Sequence, residues 1–126
     1  MRRNLTLNKK GEVVESRLKY GNEITVRDGI KFRSKGEADR YSELKLLQSA
    51  GEISNLKWQQ PIPLWVEKVK VGLYIADFTY NEGGNFVIED FKGKRTALFI
   101  LKWNILHALH DKCPGIILRV SKKGRK

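Results

Sequence analysis

Residues 69–93, VKVGLYIADFTYNEGGNFVIEDFKG, decide how this chain is read. Val69 to Tyr80 has the apolar and β-branched character of a strand. Asn81-Glu82-Gly83-Gly84 supplies a turn, and Phe86 to Lys92 reads as the antiparallel partner strand, ended by Gly93. Each strand carries an acid within an apolar run, Asp77 in one and Glu89-Asp90 in the other, where an isolated charge is costly to bury. Alternation puts Ile88, Asp90 and Lys92 on one face of the second strand and Val87, Glu89 and Phe91 on the other. Counting outward from the turn brings Asp77 near residues 88–90, so two carboxylates and an ammonium converge on one face.

A cluster of this kind suits a hard divalent cation. Mg²⁺ prefers one or two carboxylates plus water and phosphate oxygens over a cage made wholly by protein. A bound metal lowers the pKa of water and polarises a phosphoryl group, and Lys92 can orient a nucleophile or offset developing negative charge. A plain ion pair of Lys92 with Asp77 or Asp90 explains the same pattern. Glu89 is the rival to Asp90. Its phase opposes Lys92, which ranks it second, and a bulge would reverse that order.

The elements on either side follow from local signals. Ile24-Thr25-Val26 and Ile30-Lys31-Phe32 flank Arg27-Asp28-Gly29, an Asp-Gly hairpin signature. A helix is expected from Ser34 to about Ala50, opened by the capping box Ser34/Glu37 and closed by Gly51. Glu37, Tyr41, Leu44 and Gln48 form its core-facing stripe, with Ala38 and Leu47 beside them, while Asp39 and Leu46 face away. Glu37 is thus an inward carboxylate at the mouth of a helix, open to either a capping or a site role. Residues 52–66 carry Pro61 and Pro63, which fits an edge strand or an extended segment. Thr96 to His110 is a second helix with Phe99, Trp103, Leu106 and His110 on one stripe. Leu98, Leu101, Ile105 and Ala108 make its other side apolar too, a surface that a second subunit would cover. Ile116 to Val120 is a closing strand after Pro114-Gly115. The expected division is a basic arm over 1–20 without regular structure, one domain over 21–121, and a basic tail over 122–126.

Of the 126 residues, 25 are Lys or Arg and 14 are Asp or Glu, a net charge of +11 that sets up a field favouring a polyanion. Lys94, Arg95, Lys102 and Arg119 flank the acidic strands as candidate phosphate contacts. The lone Cys113 excludes an internal disulfide and fits a reducing compartment. Neither an apolar leader nor a stretch near the ~20 residues of a membrane span is present, so a cytoplasmic protein is expected. His107, His110 and Cys113 lack the fourth ligand of a structural zinc site. Trp58, Trp65 and Trp103 read as core residues in preference to base-stacking platforms.

Five segments, in order, resemble the PD-(D/E)XK nuclease superfamily, and within it a group of small phage-encoded proteins. They are Lys19–Asn22, Phe32–Tyr41, Gln60-Pro61, Ala76–Phe78 and Glu89–Gly93, within residues 19–104. The resemblance implies an α/β fold with an αβββαβ core behind an N-terminal β-hairpin. It implies that Asp77 and Asp90 bind Mg²⁺ (with Mn²⁺ able to substitute), that Glu37 completes or supports the metal site, that Gln60 reaches it, and that Lys92 assists the attacking water. Ala76 stands where the pattern's nominal proline would be. The activity implied is hydrolysis of DNA phosphodiesters by an endonuclease. Two symmetric nicks made by a homodimer would suit a four-way (Holliday) junction. A non-catalytic nucleic-acid-binding protein that keeps the fold is the alternative.

Overall fold

The computed structural model describes residues 4–7, 13–16, 24–91, 96–111 and 113–122. The chain is a mixed α/β protein with two helices and a four-stranded sheet. It divides into two compact units, Met1–Ser42 and Glu43–Lys126, and the boundary falls inside the first helix.

In the first unit, β1 (Asn4–Leu7) pairs antiparallel with β2 (Val13–Ser16). This corrects the expectation of an arm without regular structure. Thr6, Val13 and Val14 are β-branched, a preference that the surrounding lysines and arginine obscure. Next, β3 (Thr25–Arg27) pairs with β4 (Ile30–Phe32) across Asp28-Gly29. Both turn residues have positive φ, 54° and 77°, as a primed two-residue hairpin turn requires.

The start of α1 (Lys35–Ser49) is tied to that hairpin. Arg27 Nη1 donates to Asp39 Oδ1 at 2.8 Å and to Ser42 Oγ at 3.1 Å, and Tyr41 Oη donates to Asp28 Oδ2 at 3.0 Å. The Phe32 and Tyr41 rings lie 5.1 Å apart. Ser34 caps the helix by accepting from Glu37 N at 3.1 Å. Asp39 is held below the ordinary carboxyl range by its bonds to Arg27 and then Lys35.

In the second unit α1 ends at Gly51, which takes φ 82°. Gly51 N donates to Gln48 O and Glu52 N to Leu47 O, a Schellman closure. The sheet then runs β5 (Ser54–Val66), β6 (Val69–Glu82), β7 (Asn85–Phe91) and β8 (Ile116–Ser121), in that spatial order. The proline-bearing β5 is an edge strand, as Pro61 and Pro63 require. The turn after β6 is tighter than the four residues expected. Pairing reaches Glu82↔Asn85, which leaves only Gly83 and Gly84 in the loop, both with positive φ.

β8 runs parallel to β7, reached through α2 (Ala97–His110). Thr96 Oγ1 caps α2 by accepting from Phe99 N at 3.0 Å. The helix buries Trp103 and Leu106 against Leu64, Tyr74, Ala76 and Ile88, with Phe99, Ile105 and Leu109 at the margin. Leu98, Ile100 and Leu101 stay exposed, so one stripe of α2 is core and the other apolar side meets solvent in the single chain.

Trp103 is buried as expected and Trp58 is half-buried, but Trp65 is 48% exposed. It sits next to the two-residue loop of the β5–β6 hairpin, where the ribbon has passed the end of β7. Lys92, Lys94 and Arg95 lie outside the described residues, as do residues 123–126 of the basic tail.

Candidate functional site

β6 and β7 pair from Glu82↔Asn85 up to Phe78↔Glu89, and there the ladder stops. One further step of the same register sets Asp77 across from Asp90. At this point the strands are joined by side chains. Asp77 Oδ2 accepts from Phe91 N at 2.7 Å, and Tyr74 Oη donates to Asp90 Oδ1 at 2.7 Å. Asp77 is 6% exposed and Asp90 half-buried.

The sequence pattern of β6 also changes here. Leu73 and Ile75 are exposed while Tyr74 and Ala76 are buried, the ordinary alternation, but Asp77 through Tyr80 are all buried. Ile88 pairs with Thr79, yet it packs in one cluster with Tyr74 and Ala76. The alternation of β6 therefore slips once between Ala76 and Thr79. Gln59, between the pairs Trp58↔Phe78 and Gln60↔Ala76, lies across from this slip with φ 52°. An irregularity of this sort re-aims side chains, and here it falls on the acid of β6.

Glu89 and Asp90 take opposite faces of β7. Glu89 is fully buried: Tyr80 Oη donates to its Oε1, and Ser121 Oγ to its Oε2 at 2.6 Å. Arg119 extends the network, donating to Tyr80 Oη at 3.1 Å and to Glu82 Oε1 at 2.9 Å. Burial, then the adjacent Glu89, push the Tyr80 hydroxyl up to about 12. Glu82, then Tyr80, raise the Arg119 guanidinium further against a smaller opposing effect of burial. Glu89 is thus a structural acid inside the sheet. Arg119, expected from its sequence position to contact phosphate, donates to Tyr80 and Glu82, and a phosphate role would have to compete with them.

The remaining expected residues are placed as follows. Gln60 pairs with Ala76, the residue before Asp77, and its Nε2 donates to Trp58 O at 3.2 Å. Glu37 is 6% exposed in the first turn of α1, in the other unit from Asp77 and Asp90. Lys102 is half-buried on α2. Among the described residues no group of three Asp, Glu, His or Cys side chains is assembled to hold a metal ion. Of the expected trio, Asp77 and Asp90 lie on the neighbouring strands β6 and β7, and Glu37 belongs to the first unit. His107 stands edge-on to Trp103, ring centroids 5.5 Å apart, and burial lowers the pKa of His110.

Chemically, the pair offers hard oxygen donors alone. Each carboxylate accepts a hydrogen bond through the oxygen named, and an ionised carboxylate has about four lone-pair sites in all. Two carboxylates completed by water and phosphate oxygens match the coordination habit of Mg²⁺. Tyr74 is the residue that sequence reasoning passed over. Its position in an apolar strand, three residues before Asp77, reads as core, and only the fold reveals its hydroxyl at Asp90.

A family model described as "Protein of unknown function (DUF1064)" matches residues 17–123. No curated protein and no solved structure matches the chain. Among the described residues no helix is long and apolar enough to cross a membrane.

Proposed function

We propose that this chain, which belongs to the DUF1064 family, is a Mg²⁺-dependent DNA endonuclease built on a PD-(D/E)XK-type core, with Asp77 and Asp90 as its metal-binding carboxylates. The observation that carries the reading is the hydrogen bond of Asp77 to the backbone N of Phe91, the residue next to Asp90, just beyond the last described pair of β6 with β7. The order α1-β5-β6-β7-α2-β8 supports it, since it reproduces the αβββαβ succession expected of that superfamily. The charge of +11 supports a polyanionic substrate.

In this reading Asp77 and Asp90 hold Mg²⁺ (or Mn²⁺), which when bound supplies a Lewis acid for the phosphoryl group and lowers the pKa of water. Asp77 is kept in place by the Phe91 amide and Asp90 by the Tyr74 hydroxyl, so both carboxylates are oriented before any substrate arrives. Lys92, two residues after Asp90 in the sequence, offsets negative charge at the phosphate or orients the attacking water. Gln60 reaches the site from β5, and Glu37 completes or supports it. Lys94, Arg95 and Lys102 contact backbone phosphates.

A four-way junction is the proposed substrate class. Resolving it needs two symmetric nicks, a two-fold dimer supplies two identical sites, and the exposed Leu98, Ile100 and Leu101 of α2 offer an apolar surface for a second copy. The test is cleavage of a four-way junction and of a linear duplex of the same sequence, with and without Mg²⁺. Metal-dependent cleavage that favours the junction is expected. Equal rates on both would overturn the junction preference, and no cleavage with Mg²⁺ or Mn²⁺ would overturn the enzyme.

A second reading, a non-catalytic nucleic-acid-binding protein, rests on the net charge of +11 alone. It expects salt-sensitive DNA binding without loss of supercoiled plasmid in either metal.

A further inference from the structure

The geometry points to Tyr74 as a positioning residue of the metal site, one that fixes the Asp90 carboxylate and thereby sets the affinity of the site for a divalent cation. This deepens the nuclease reading and rests on it.

Three observations converge on the hydroxyl. It donates to Asp90 Oδ1 at 2.7 Å across sixteen residues of sequence. Among the described residues, backbone pairing between β6 and β7 runs no further than Phe78↔Glu89. Beyond the last pair of described residues, this hydrogen bond and that of Phe91 N to Asp77 Oδ2 link the two strands. The ring itself is immobilised: Tyr74 is 4% exposed and lies 5.7 Å from the Trp103 ring of α2, inside the cluster with Leu64, Ala76 and Ile88.

The phenol is thus a rigid arm, anchored in the core and ending at an acid that is half-buried. A carboxylate on a strand end has free rotation about its side-chain bonds. A donor fixed by core packing selects one orientation and presents the other oxygen in a constant direction. Partners of this kind behind a metal ligand typically set metal affinity or activity by about 10- to 100-fold. The contrast with Tyr80 is informative. Its hydroxyl also meets a carboxylate, Glu89, but within a buried network shared with Arg119. Tyr74 alone of the two is directed at the acid assigned to the metal.

The experiment measures Mn²⁺ binding to the full chain by calorimetry in the absence of DNA, together with the Mg²⁺ concentration at half-maximal plasmid cleavage. The chains compared are wild type, Tyr74→Phe and Tyr80→Phe. Tyr74→Phe keeps the ring and removes only the donor. It is expected to weaken Mn²⁺ binding about 10-fold and to raise the Mg²⁺ midpoint in proportion, with its urea midpoint near that of wild type. Tyr80→Phe is expected to lower the urea midpoint and leave Mn²⁺ affinity unchanged. Unchanged Mn²⁺ affinity in Tyr74→Phe overturns the assignment, and so does failure of that variant to fold, which would make the hydroxyl a folding element. A wild-type chain that binds no Mn²⁺ sinks the metal site itself, and that outcome is distinct from a wild type that binds and a Tyr74→Phe that binds equally well.

Discussion

Glu89 and Asp90 are adjacent in β7, and the sheet treats them differently. Glu89 is fully buried and receives two hydroxyl donors, one of them tied to Arg119. Asp90, on the other face, is half-buried and is held by Tyr74 one residue beyond the last described pair of β7 with β6. One acid is enclosed within the sheet by donors from β6 and β8. The other is half-buried and held by the Tyr74 hydroxyl. The same side-chain chemistry therefore separates into a structural member and a candidate reactive one through burial and ladder geometry, before any ligand is considered.

The sharpest way to break this contrast is at Asp77, the partner acid on β6. Asp77→Asn keeps an oxygen to accept from Phe91 N, so the protein is expected to fold while Mg²⁺-dependent cleavage falls about a thousandfold, the effect of several kcal/mol withdrawn from charge stabilisation. Single-turnover cleavage rates beside a thermal melt check it. Asp77→Asn cleaving at the wild-type rate would remove Asp77 from the metal site.

The next effect belongs to Glu89 and appears in stability. Glu89→Ala strands the hydroxyls of Tyr80 and Ser121 inside the sheet, and should cost about 3 kcal/mol in urea unfolding. Glu89→Gln, which keeps one acceptor, should cost less. A Glu89→Ala chain as stable as wild type would mean that the network stabilises nothing.

Alkaline pH probes the same network more gently. The Tyr80 hydroxyl is raised from its ordinary value of 10.0 to about 12, so the folded state holds the proton more tightly than the unfolded chain does. The resulting stability is fully present below pH ~10 and is lost as pH rises through about 12. Tyr80→Phe should flatten this part of the stability–pH curve, read from urea midpoints between pH 9 and about 12. Smallest of all is Lys102, outside both acid sets. Lys102→Gln should weaken DNA binding uniformly and lower the slope of log affinity against log salt by about 1.

Much of this contrast was written in local sequence. Period-two alternation put Asp90 and Glu89 on opposite faces of β7, and the Gly83-Gly84 turn brought Asp77 near Asp90. Asp28-Gly29 marked its hairpin, Gly51 the end of α1, and Thr96 the start of α2, because each supplies a backbone angle or cap that few other residues provide as well.

What stayed hidden depends on partners distant in sequence. Tyr74 reads as any core aromatic until the fold carries Asp90 to it. Arg119 reads as a surface cation until β8 lies parallel to β7 and places it beside Tyr80 and Glu82. β1 and β2 were obscured by the basic residues around them, and the slip in β6 by an unbroken apolar run that looks like one regular strand. The division inside α1 has no sequence mark at all, since the helix continues through Ser42 and Glu43.

The most direct test of the central claim sets the two neighbours side by side. Nicking of supercoiled plasmid DNA in Mg²⁺ is measured for wild type, Asp90→Asn and Glu89→Gln, at a temperature where all three are folded. Wild type and Glu89→Gln are expected to nick at similar rates, and Asp90→Asn to be slower by about a thousandfold. A wild type inert in both Mg²⁺ and Mn²⁺, or an Asp90→Asn chain as fast as wild type, would contradict the account.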